Sequence, residues 1–191
     1  KHNTSKYKTL WSKTDMSNLR LINETEVTSG VTSVNVTDVF SADFDIYKIT
    51  LEGFYASTID YFYLKLINSS GSVIATASYD SASLEMRDSG SYVERKSANY
   101  TSMTHSTNFL PNSLAESYNA VFYFFNPFSS SSYSFLLGQS VESEYSDLYN
   151  NKSIGVLKQA NSITGYQWTV GALGGTLSGG KIRTYGLRVD S

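Results

Sequence analysis

The chain has 191 residues, 40% hydrophobic, 14% aromatic and 17% charged, with a formal net charge of −2. That is enough apolar content for one folded core, and too little positive charge for a protein that binds nucleic-acid backbone. With no cysteine, a disulfide framework and a Cys-ligated metal site are excluded, and no apolar run approaches the roughly 20 residues of a membrane helix.

The first stretch, KHNTSKYKTLWSKTDMSN, is charged and has no apolar h-region, so it does not read as a signal peptide. Residues 1–24 are expected to form an N-terminal arm carrying Trp11 and the alternating Leu19 and Leu21. An extended arm cannot bury these side chains alone, so it either adds an edge strand or docks on a neighbouring subunit. Residues 25–191 then form one domain. Within it the hydrophobic period is 2 almost throughout, which is the strand signature. VTSVNVTDVF predicts a first strand through Val34 and Val36. In DIYKITLEGF, Tyr47, Ile49 and Leu51 alternate with Lys48, Thr50 and Glu52. YFYLKLIN, the turn Asn68 to Gly71 and SVIATASY read as a hairpin, with Val73, Ala75, Ala77 and Tyr79 alternating on its return.

AVFYFF (Ala120 to Phe125) is apolar on both faces and is expected to be central and covered on both sides. YSFLLGQ, SIGVLK, ITGYQWTV and KIRTYGLRV follow as further strands, separated by connections such as RDSGS, YNNKS and GALGGTLSGG. LPNSLAES predicts a short helical turn. No amphipathic crossover helix and no repeat is present, so the expected fold is all-β, an antiparallel β-sandwich of jelly-roll-like type.

The sequence carries no catalytic signature. His2 and His105 have no partners at zinc-ligand spacing, no GxSxG elbow occurs, and the glycines of GALGGTLSGG join two strand patterns rather than opening a helix. Asp80, Glu85 and Asp88 flank one loop, while Glu142 and Glu144 alternate along a strand and read as a solvated face rather than a glycosidase pair. No calcium loop is recognisable, and the six N-x-[ST] sequons fit a Ser-, Thr- and Asn-rich composition. No enzyme activity, metal or cofactor is therefore expected. The unusual feature is 15 Tyr on a low-charge background. Tyr92 and Tyr100 lie in SYVERKSANYTS, and Tyr145 and Tyr149 in EYSDLYNN. Tyr among Ser and Asn supplies rigid contact area with a hydroxyl tip, so these four, with Trp11, are the candidate ligand or partner contacts.

Three stretches resemble a family of small virion structural proteins, often tail-fibre-like, from phages of marine bacteria and cyanobacteria. They are VTSVNVTDVFSADFDIYKITLEGF, LPNSLAESYNAVFYFFNPFSSSSYSFLLGQS with its Asn-Pro turn, and ANSITGYQWTVGALGGTLSGGKIRTYGLRV, ending in Tyr185-Gly186-Leu187. Ile182 and Leu187 differ in parity, so Gly186 is expected to mark a bulge. The chain departs from the family's pattern at Trp168, usually a smaller aliphatic, and over Tyr79 to Ser106. The resemblance implies a virion location on tail or capsid surface and carries no catalytic residues. The implied function is a tail-fibre or adsorption subunit that contacts a host-surface glycan. Capsid decoration or head fibre, and a secreted carbohydrate-binding module, are the alternatives. Expected partners are other virion proteins and copies of itself, a homotrimer favoured, with no nucleic acid and no membrane insertion.

Overall fold

A computed structural model describes residues 18–28, 30–104, 109–144 and 147–187. Trp11, Tyr145, His2 and His105 lie outside them. The fold is an all-β antiparallel sandwich of unequal layers. Strands are numbered along the chain. The large sheet has eight: β1 (Leu19–Val27), β13 (Leu177–Leu187), β3 (Ile46–Ala56), β9 (Tyr118–Phe125), β10 (Ser134–Glu144), β11 (Asp147–Leu157), β6 (Tyr79–Arg87) and β7 (Tyr92–Tyr100), side by side in that order. The small sheet has three, β2 (Ser33–Val36), β12 (Ile163–Thr169) and β5 (Tyr63–Asn68), and a short pair joins β4 (Asp60–Tyr61) to β8 (Phe109–Leu110). The expected helical turn is a 3₁₀ turn at Leu114–Glu116, capped by the Ser113 hydroxyl.

The core forms where the small sheet covers β13, β3 and β9. Period-2 alternation puts Tyr47, Ile49 and Leu51 of β3 on one face, all essentially unexposed, beside Phe122 and Phe124 of β9. From the small sheet, Trp168 stacks on Phe62 at 4.9 Å between ring centroids and meets Phe122 at 5.2 Å. Aromatic rings supply large buried area per residue, which suits a chain without disulfides. Polar contacts cross the layers too, among them a 2.6 Å hydrogen bond between the Tyr166 and Thr184 hydroxyls.

The far end of the large sheet is tied back to the small one. The Tyr79 hydroxyl on β6 accepts from Leu66 N and donates to Ile74 O, each at 3.0 Å, and Met103, just beyond β7, bridges to Leu64. β1 is the edge strand beside β13, so residues 19–24 of the expected arm belong to the sandwich and the division after Glu24 falls inside a strand.

Several local expectations are corrected. The Asn68–Gly71 turn forms, with the Asn68 side chain accepting from Ser70 N and Ser72 N. The return strand of that hairpin does not form: Val73 makes one isolated bridge, and Ile74 is the residue that turns inward. The chain then crosses to the large sheet and enters β6 at Tyr79. Tyr92 and Tyr100 end a strand rather than occupy a loop, because β6 and β7 are a hairpin around Asp88–Ser91 with Gly90 at φ 81°. β9 is central, but only Tyr118, Phe122 and Phe124 are sealed; Val121, Tyr123 and Phe125 on its other face are half-buried. Gly186 carries no bulge. It pairs in register with Tyr47, and its missing Cβ makes room for the Phe44 ring. The β13 irregularities lie earlier, between Leu177 and Lys181.

Candidate interaction surface

Beyond β9 the large sheet continues as a four-strand wing, β10–β11–β6–β7, and here the usual polarity is reversed. Leu136, Leu157 and Tyr79 at one end of it point into the core and Tyr149 is buried at the other, but between them the inward residues are small or polar: Gly138, Ser140 and Glu142 on β10, Asn151 and Ser153 on β11, Ser81, Ser83 and Glu85 on β6. The register aligns them in rows, Ser140 beside Asn151 beside Glu85, and Gly138 beside Ser153 beside Ser83 beside Arg95. Crowding accounts for the small size. A Cβ on Gly138 would fall inside the Phe122 ring and 2.8 Å from the Ser153 hydroxyl. Crowding does not account for the polarity.

Three charges in this layer are matched. Glu85, 1% exposed, takes an ion pair from Arg87 at 2.6 Å and another from Arg95 at 3.2 Å. The Arg87 guanidinium also lies 4.9 Å from the centre of the Tyr149 ring. Other groups are not matched. The Tyr118 hydroxyl lies close to the Ser140 hydroxyl and the Glu142 carboxylate, while the Ser83 hydroxyl and the Asn151 carbonyl oxygen make no hydrogen bond within the protein. Burial is the main reason that the Tyr118 hydroxyl is held well above the ordinary phenol value, with the Glu142 carboxylate adding to it. The solvated face expected for Glu142 and Glu144 is thus corrected at Glu142, which is 4% exposed; the Glu144 side chain is outside the described atoms. Among the described residues no group of three His, Asp or Glu could hold a metal.

A second set of apolar residues of the wing points outward. In one cross-strand row Tyr123 of β9 stands beside Leu137, Leu137 beside Ile154, Ile154 beside Ala82, and Ala82 beside Lys96. The neighbouring row runs Phe125, Phe135, Val156, Asp80. Phe135, Leu137 and Ile154 are 47%, 50% and 58% exposed. Two open grooves follow these rows and share Ala82, Lys96 and Ile154. One, of about 550 Å³, reaches Leu84 and Leu137; the other, of about 810 Å³, reaches Phe135, Val156 and Tyr100. Charges stay at the rim or isolated on the face: Asp80 pairs with Lys158 at 2.9 Å, which lowers its pKa, while Lys152 and Glu94 flank Leu84.

Of the residues expected to make contacts, Tyr92 is 69% exposed at the rim of this face, and Tyr100 is 52% exposed and lines the larger groove. Tyr149 instead points inward and is buried beneath Arg87. The apolar face itself was missed by the reading of loops. Its signal was in the sequence, because Phe135, Leu137 and Val141 share one parity in β10 while Ser134, Gly138 and Ser140 hold the other.

No family model matches this chain, and no curated protein matches it. A structure of the infectious bursal disease virus Gx strain aligns with 88% of this chain and 40% of its own, at 12% identity and a TM-score of 0.13. This chain therefore spans well under half of that one, and a score so low carries no likeness of fold.

Proposed function

We propose that the chain is a non-enzymatic structural subunit of a bacteriophage virion, a tail-fibre or adsorption protein that assembles through the outer face of its β10–β11–β6 wing. The observation that supports assembly is that face: large side chains of β10 and β11 half open to solvent and in register, over a layer rich in buried polar groups. Folding alone places apolar side chains inward, and a contiguous apolar face directed outward is the usual mark of an interface. The phage virion setting is supported by the sequence resemblance over Val31 to Val189. Contact with a host-surface glycan is supported by Tyr92 and Tyr100, open rings at the margin of the same face.

Capsid decoration would use the same face against capsomers instead of tail proteins. Locating the chain in purified particles by electron microscopy with a specific antibody separates the two. Label confined to the tail is the expected result. Label spread over the head would replace adsorption by decoration, and particles without the chain would end both readings.

A further inference from the structure

We infer that the outer face of the β9–β10–β11–β6 wing is closed by the same face of a second copy of this chain. The inference rests on the assembly reading above and names the partner.

The size of the face is the first argument. Leu84, Phe135, Leu137, Val141, Ile154 and Tyr100 are each 38% to 58% exposed. Together they present on the order of 600 Å² of apolar surface, at the upper end for patches on monomers and most of the roughly 800 Å² that one partner contributes to a stable interface. Half-buried Tyr123, Phe125 and Val156 continue the rows of Leu137 and Phe135, while Gln139 and Lys152, paired with each other, separate these rows from Val141 and Leu84. The patch therefore supplies the greater part of a lasting contact, with its polar rim making up the rest.

Charge is the second argument. The face and its rim carry Lys96 and Lys152 beside Glu94, and Asp80 already neutralised by Lys158. Both signs are present and neither dominates, so a second identical face meets no like-charge barrier and can match lysine to glutamate. A strongly basic or acidic partner finds no complementary field here. Relief is the third argument. The two grooves lie side by side along the strands, between rows of projecting side chains such as Phe135 and Leu137. A surface that holds both ridges and grooves of similar apolar chemistry is self-complementary, as an isologous contact requires.

The test is the mass of the purified chain by light scattering and sedimentation, across the micromolar range. The expected result is a defined homo-oligomer. Leu137→Asp and Ile154→Asp should each convert it to monomer, weakening association about a hundredfold or more, because a carboxylate would be buried unpaired at the centre of the contact. Both side chains are half exposed in the single chain, so melting temperature and circular dichroism should hardly change. Leu173→Asp, equally exposed at 58% but on the loop after β12, should leave the mass unaltered.

The absence of cysteine allows a second reading of the same contact. Ile154→Cys treated with a short bismaleimide should give covalent dimers, and Leu173→Cys should not. A wild-type chain that stays monomeric at high micromolar concentration with no Ile154→Cys dimers would overturn the inference. So would an oligomer that survives both aspartate substitutions. If that monomer is still found on the tail, only the identity of the partner is wrong and the virion reading stands; if it is absent from particles, the virion reading fails separately.

Discussion

Asp60 has no exposed surface, and its carboxylate accepts four backbone N–H groups. Oδ1 takes Tyr61 N at 2.7 Å and Leu173 N at 3.1 Å; Oδ2 takes Gly171 N at 3.0 Å and Gly175 N at 2.8 Å. The loop from β12 to β13 is thereby wound around one side chain. Gly171 and Gly174 have φ of 117° and 88°, a region that favours glycine, and a Cβ on Gly175 would lie 2.8 Å from Asp60 Oδ2. Replacing Asp60 by Ala leaves these amides without their acceptor, those of Gly171 and Leu173 on an exposed stretch of the loop, a loss of about 2–4 kcal/mol. Asp60→Asn keeps one carbonyl oxygen and should lose roughly half as much. Urea unfolding of the two variants measures both, and an Ala variant as stable as wild type would show that the loop holds itself.

At the scale of elements, β12 depends on a close approach that only glycine permits. Gly165 packs against the Val36 carbonyl, and a Cβ there would collide with backbone rather than with a side chain that could turn away. The same neighbourhood holds Val39 N and Phe40 N, both donating to Thr164 O. Gly165→Ala should therefore loosen β2 from β12 at a cost of about 2–3 kcal/mol, seen as a lower urea midpoint with faster amide exchange in β2 than in β9. Equal exchange in both strands would mean that the collision is absorbed elsewhere.

Strands of this kind were readable in the sequence because one face is buried and the other wet: β3, β5, β12 and β13 follow from alternation, and β9 from its unbroken apolar run. β6 and β7 were not, because their inward positions are Ser81, Ser83, Glu85, Arg95 and Ser97, which look like loop residues when read alone. Their burial is imposed by the register with β11, a long-range fact that no local window contains. The same reversal hid the outward apolar face, since period 2 identifies two faces and does not say which is inside. It also explains why tyrosines in polar stretches divide so sharply, Tyr92 open and Tyr149 sealed: strand parity sorts them, not the polarity of their neighbours.

For the whole molecule, the large number of tyrosines ties stability to alkaline pH. Tyr79, Tyr118 and Tyr166 lie in the interior with their phenol ionisation pushed up, in each case mainly by burial. In the unfolded chain a phenol ionises near its ordinary value of about 10. A raised folded value means that the native state holds these protons more tightly, so their contribution is fully present below about pH 10 and is lost as pH rises above it. Three such groups give a slope of up to about 4 kcal/mol per pH unit, steep enough to unfold a domain of ordinary stability within a few pH units. Absorbance of tyrosinate should therefore rise in two waves, the second coinciding with the loss of sheet signal in circular dichroism. Tyr118→Phe isolates the effect, because its hydroxyl has no hydrogen-bonding neighbour among the described residues beyond the small Ser140 hydroxyl and its removal strands little. That variant should match or slightly exceed wild type at neutral pH and unfold at higher pH, with the second wave smaller by one tyrosine. A single wave finished before unfolding begins would mean that these three phenols ionise in the folded state, and the link between aromatic core and alkaline stability would be lost.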